Sequence, residues 1–142
     1  MNKRRLLKLA DLLEADAKNK KGIQFDLNVI ACKAAGANFE SGDEPAINCG
    51  TAACAIGLAC LSGAFRRAGL EYTINNWGFT PLVDGVADFG AAYGVFGLSE
   101  EEGDFLFLPD SYPRDMIGAR GERGVAKRIR DFVAGKASPS ND

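Results

Sequence analysis

The chain has 142 residues, of which 46% are hydrophobic and 25% charged, with a formal net charge of -2 and no histidine. That size and balance describe one globular domain whose core can form without disulfides or metals. The missing histidine excludes Ser/His and Cys/His dyads, His-ligated zinc and an imidazole acid or base, and the small net charge supplies no global pull toward nucleic acid.

The opening Met1-Asn2-Lys3-Arg4-Arg5-Leu6 begins like the charged region of an export signal, but Lys8, Asp11 and Glu14 interrupt the apolar stretch such a signal needs. No run approaches the roughly 18 apolar residues of a membrane span. The expectation is a cytoplasmic protein with no membrane partner, in which four cysteines are thiols rather than two disulfides. Over residues 3–18, Leu6, Leu9, Ala10, Leu13 and Ala17 recur at spacings of three and four, which predicts an amphipathic helix. Its basic cluster of Lys3, Arg4, Arg5 and Lys8 reads as a solvated end, and Asn19-Lys20-Lys21-Gly22 as its stop. Residues 23–30 alternate apolar and polar and predict an extended segment with Phe25 inward. Residues 35–48 carry Gly36, Asn38, Ser41, Gly42, Asp43 and Pro45 and read as a surface loop.

Residues 48–60 hold three of the four cysteines among small side chains. They predict a helix capped by Asn48 or Thr51 and running to about residue 65 or 68, central in the fold because its small surface lets neighbours approach its backbone. Gly57 and Gly63 cost such a helix about 1 kcal/mol each against alanine, as expected where packing leaves no room for a side chain. Residues 70–74 read as a strand, followed by a turn at Asn75-Asn76 and pairing with the Phe25 segment; Trp77 is expected in the core or at its rim. After Pro81 a third helix is predicted over 82–96, with Gly97 as its stop. Ser99 and Glu102 form a capping box, and Glu100, Glu101 and Glu102 complement the helix dipole rather than converge on a metal. A last helix over 121–134 turns Val125, Ile129, Phe132 and Val133 inward and Arg120, Arg123, Lys127, Arg128 and Arg130 outward, with Glu122 and Asp131 diluting the basic face. Residues 136–142 read as a disordered tail. The fold class expected is mainly α: a single compact domain over 1–135, of about five helices around a central small-residue helix, with room for a short two-stranded β-sheet.

The cysteines are spaced C-x16-C-x4-C-x5-C at Cys32, Cys49, Cys54 and Cys60, without the short knuckle of structural zinc sites. On an unbroken helix Cys49 and Cys60 stand about 16 Å apart and Cys54 points about 140° from Cys49. No metal and no cofactor is therefore expected. Three arrangements stay open. With Thr51 as cap, Cys49 lies outside the helix and can pair with Cys54 or Cys32; with Asn48 as cap, Cys49 lies in the first turn, where the dipole stabilises a thiolate. In the third, all four are small buried apolar residues.

The run Cys49-Gly50-Thr51-x-x-Cys54-x-x-Gly57-x-Ala59, preceded by Phe25-Asp26 and followed by Phe96-Gly97-Leu98-Ser99-x-x-Glu102-x-x-x-Leu106-Phe107, resembles a group of small uncharacterised bacterial and phage proteins with a CGTxxCxxGxA signature. The resemblance implies a shared fold and a shared site at Asp26, Cys49, Thr51 and Cys54, without an activity; Cys32 and Cys60 fall outside it. The function expected is non-enzymatic, through a protein partner or self-association. One alternative is a thiol site at Cys49, and the other a nucleic-acid accessory role for the basic terminal helices.

Overall fold

In the computed structural model, which describes residues 1–139, the two ends of the chain supply the two longest helices. Helix α1 (Lys3–Lys18) packs along α5 (Gly118–Val133). The apolar spacing explains the pairing: Leu6, Leu9 and Leu13 of α1 and Val125, Ile129 and Phe132 of α5 are buried in one core. Asn2 caps α1 by accepting the Arg5 N–H at 3.1 Å. Arg130 clamps the two helices from the rim, its Nε and Nη2 donating to Glu14 at 2.9 and 2.8 Å and Nη2 also to Asp11.

Between these helices the chain is mixed α/β, which overturns the mainly α expectation. A first sheet has the order β1-β3-β2: β3 (Thr51–Ala53) runs parallel to β1 (Gln24–Phe25) and antiparallel to β2 (Ala31–Lys33). The second is a meander of β4 (Leu70–Asn75), β5 (Gly78–Val83) and β6 (Val86–Ala87). Phe25 points inward as expected, 1% exposed, but its strand pairs with β3, whereas β4 pairs with β5. The turn at Asn75-Asn76 does form, Asn75 accepting the Trp77 N–H at 2.8 Å. Trp77 itself stands 87% exposed at the hairpin tip, not in the core or at its rim.

Two predicted helices shrink. The helix read over 82–96 is only α3 (Ala91–Val95), because Asp84-Gly85 is a hairpin turn: both residues adopt positive φ, 51° and 82°, as a tight turn joining twisted strands demands. Pro81 lies within β5, opposite Tyr72, where β6 no longer flanks the strand. The central helix does not begin at Asn48 or Thr51. Asn48 instead accepts the Gly50 N–H at 2.9 Å in a local turn, Thr51 opens β3, and α2 spans Ala55–Ser62. Its cap is Cys54, whose Sγ accepts the Gly57 N–H at 3.5 Å, and Gly63 ends it at φ 69°. The reading of α2 as central and closely packed holds, since Ala55–Cys60 are buried throughout. The capping box forms with both bonds present and starts α4 (Glu100–Phe107). Of the tail read at 136–142, residues 140–142 lie outside the described residues; Lys136 donates its backbone N–H to Asp131 at 2.7 Å.

One close approach sets the geometry of this middle region. The Cys54 N–H donates to the Ile30 carbonyl at 3.1 Å, and a methyl group placed on Gly57 would overlap that same carbonyl oxygen. Gly57→Ala is therefore expected to lower stability by about 3 kcal/mol, the upper end of the range for overpacked cores. That outweighs the about 1 kcal/mol of helix propensity it gains. Urea denaturation measures it, and an unchanged midpoint would show that the corner yields.

Candidate functional site

The signature residues form a strand-to-helix corner. Thr51 is buried at the start of β3 opposite Lys33, Cys54 caps α2, and Cys32 is buried in β2 opposite Ala52. Asp26 follows β1, its N–H donating to the Ala53 carbonyl at 3.0 Å while its Oδ1 accepts from the backbone and side-chain amides of Asn28. Cys49 is exposed in the loop before β3, and its carbonyl accepts from Gln24 Nε2 at 3.0 Å. All four thiols are free.

The corner thus brings Asp26 close to Cys32 and Cys54 and leaves Cys49 apart. Burial pushes the Cys54 thiol up to about 11 and the Cys60 thiol up to about 12; burial also raises Cys32, and the Asp26 carboxylate adds to the rise at Cys32 and Cys54. These are conditions for an inert thiol. Cys49 is separated from the first turn of α2 by β3, so the dipole argument for a thiolate there loses its basis. Among the described residues no group of three or more thiols and carboxylates is placed to hold a metal.

Two features escaped sequence reasoning. The first is a buried carboxyl pair, Asp16 of α1 with Glu122 of α5, 9% and 1% exposed. Asp16 Oδ1 accepts the Ile23 N–H at 3.2 Å, whereas Asp16 Oδ2 and Glu122 Oε2 have no partner outside the pair. Two carboxylates cannot both ionise in contact without a cation, and burial, followed by the hydrogen bond and charge of Asp16, raises Glu122 to about 10. At neutral pH Glu122 therefore keeps its proton. The signal for it was periodicity: Asp16 continues the row Leu6, Leu9, Leu13, and Glu122 begins the row Val125, Ile129, Phe132. The pair is sealed in the helix interface and out of reach of a substrate.

The second feature is a cleft of about 370 Å³ where the first turns of α1 meet the 3-10 turn at Arg66–Ala68. Arg4, Arg5, Lys8 and Arg67 line it above Ala64 and Phe65, together with Asn2 and Ala68, and no carboxylate does. Arg5 is held by its Nη1 donating to the Val95 carbonyl at 2.8 Å. Arg66 at the rim lies 3.9 Å from Glu71, a loose pair. The basic face of α5 is different in kind. Arg130 is committed to Glu14 and Asp11, and Lys127 pairs with Asp131 at 2.7 Å. Arg128 lies 3.7 Å over the Tyr112 ring and donates to the Ser111 and Phe105 carbonyls. The cations that line the cleft are instead Arg4, Arg5 and Lys8 of α1, and Arg67, distant in sequence, completes the set. Among the described residues no helix is long and apolar enough to cross a membrane.

Comparison with known proteins returns no match: no family model fits the chain, and neither a curated protein nor a solved structure shows significant similarity.

Two outcomes are expected. Glu122 binds its proton more tightly folded than unfolded, so the stability it contributes is full below about pH 4.5 and is lost as pH rises toward 10, at about 1.4 kcal/mol per pH unit for one proton. Glu122→Gln should remove that slope and melt above the parent protein at pH 9; an identical pH profile would refute the retained proton. For the thiols, alkylation of the folded protein at pH 8 should modify Cys49 first, leaving Cys54 and Cys60 protected until unfolding. Mass spectrometry that found Cys54 labelled as fast as Cys49 would contradict the burial.

Proposed function

We propose that the protein is a non-enzymatic cytoplasmic nucleic-acid accessory module that holds a phosphate backbone in the cleft at the amino-terminal end of α1. The observation that carries this reading is the single sign of the cleft: four cations and no acid in one concavity, on a chain whose net charge is -2. Helix electrostatics support it. Lys3, Arg4 and Arg5 occupy the first turn of α1, where no acidic residue stands, so they face the positive end of the helix dipole. That placement is unfavourable until an anion arrives, and favourable for binding one. The floor offers no platform for bases, since Phe65 is 3% exposed and stacked edge-on against Phe96. Contacts then go to phosphates, and binding does not depend on sequence.

A second reading, a protein partner or a second copy, is favoured by Trp77 at the hairpin tip: a lone large aromatic side chain held out in solvent is the kind of anchor that protein interfaces bury.

Up to four neutralised phosphates give a slope of about -3 to -4 in log K against log salt on duplex DNA. Fluorescence anisotropy with a labelled 20-base-pair duplex (a chosen probe length of about two turns) tests this. Arg4→Glu with Arg67→Glu should cost at least about tenfold at low salt and flatten the slope by about one for each cation removed. Arg123→Glu, on the exposed side of α5, should change little. No binding at low salt, or an equal loss with Arg123→Glu, would reject the cleft as the site.

A further inference from the structure

The second sheet has two unlike edges. On one side the edge strand β6 is two residues long, and beyond its reach the next outward backbone position of β5 is Pro81, which has no N–H to offer. Short edge strands and proline are devices that keep a sheet from pairing with other chains. The opposite edge, β4, is six residues long and has neither proline nor lysine.

The register of the hairpin fixes what that edge presents. The Gly69 carbonyl accepts the Asp84 N–H at 3.1 Å, and the pairing continues with Glu71 opposite Leu82, Thr73 opposite Thr80 and Asn75 opposite Gly78. In an antiparallel pair these alternate residues exchange the hydrogen bonds, so the N–H and C=O of Tyr72 and Ile74 point away from β5. Leu70 faces the same way, but its N–H already donates to the Phe65 carbonyl at 3.2 Å. Among the described residues no strand pairs with β4 on that side and no backbone bond reaches Tyr72 or Ile74.

This edge is complementary to itself. A twofold axis at Thr73 sets Tyr72 against the second copy's Ile74, so that the free donors and acceptors of each copy meet those of the other. Thr73 then meets the second copy's Thr73, and Glu71 its Asn75, at the positions where cross-strand side chains approach most closely. Aromatic with β-branched and threonine with threonine are favourable cross-strand pairs. Glu71 is the only charged residue of β4, so no like charges are opposed. The Asn75 Oδ1 accepts the Trp77 N–H and the Thr80 hydroxyl, which leaves its NH2 as a donor for the second copy's Glu71. The ladder stops at the Phe65 contact on Leu70, where the facing strand also ends in its turn. That turn carries Trp77, 87% exposed in one chain, to the second copy's Gly69, which has no side chain to obstruct the indole, and to the Arg66–Ala68 turn beside it.

We propose that β4 pairs antiparallel with β4 of a second copy about a twofold axis at Thr73, joining two three-stranded sheets into one and seating each Trp77 on the other copy's Arg66–Ala68 turn. The proposal rests on the second functional reading, association through Trp77, and does not depend on the basic cleft.

The test is sedimentation velocity of the full chain from about 5 µM to about 1 mM, the range of a small reversible interface, with the emission of Trp77, the single tryptophan, followed over the same series. The mass should rise from one chain toward two as the emission moves to the blue. Thr73→Lys and Thr73→Glu each place like charges across the axis and should each weaken the dimer several-fold, whereas an equimolar mixture of the two should restore it, lysine then facing glutamate. Trp77→Ala, at the exposed tip, should weaken it without altering β4. A mass that stays at one chain up to the highest concentration would overturn the second copy as the partner. Self-association that ignores both Thr73 variants, or a mixture no tighter than either variant alone, would overturn the pairing of β4 while leaving association through Trp77 in place.

Discussion

The middle of the molecule depends on one carbonyl group. The Ile30 oxygen leaves the loop before β2, accepts the Cys54 N–H, and lies against the face of α2 at Gly57, where no Cβ fits. That contact turns the chain from β3 into α2 at Cys54, and the Cys54 sulfur then satisfies one of the open amides of the new helix. Because β3 is the centre strand of its sheet, fixing it also fixes β1 and β2. The spacing Thr51, Cys54, Gly57 and Ala59 is thus accounted for as a strand start, a cap, a close approach and a buried small residue. The motif describes how the corner is built, and none of its parts requires chemistry.

What the sequence made legible follows how local each determinant is. The helix over 3–18 and the capping box at Ser99 depend on neighbours within one turn, and both form as read. The central segment misled because small residues carry little periodic contrast: Thr51 to Ala53 could continue a helix or pair as a strand, and the choice is made by β1 and β2 from distant sequence. Asp84-Gly85 was a readable hairpin signal hidden inside an apolar run that matched helical spacing. For the site, Lys3, Arg4, Arg5 and Lys8 were visible as a cluster. That Arg67 joins them, and that the acids stay away, is a property of the fold.

The carboxyl pair between α1 and α5 runs against simple stability. An apolar residue of similar size at Glu122 would fill the same space without desolvating a carboxyl, and such replacements are often neutral or stabilising, whereas Asp16 is held in place by the buried Ile23 N–H that it accepts. What the pair adds is register. An apolar seam can slide by a helical turn at small cost, whereas a buried acid must meet its acceptor, and Arg130 repeats the same constraint at the rim through Glu14. Two directional contacts along one interface hold α1 at one height on α5, and with it the basic first turn beside Arg67.

Net charge conceals this arrangement. The 17 basic and 19 acidic residues nearly cancel, yet the fold sorts them: Lys127 and Arg130 paired on α5, cations gathered at the start of α1, anions around Tyr93. An evenly mixed surface would give a cleft no preference, because the field in a concavity depends on the charges in its own walls once salt screens beyond about 8 to 10 Å. The composition therefore bounds long-range attraction only. Local sign separation, set by which helix ends and turns the core brings together, decides what a cleft can hold.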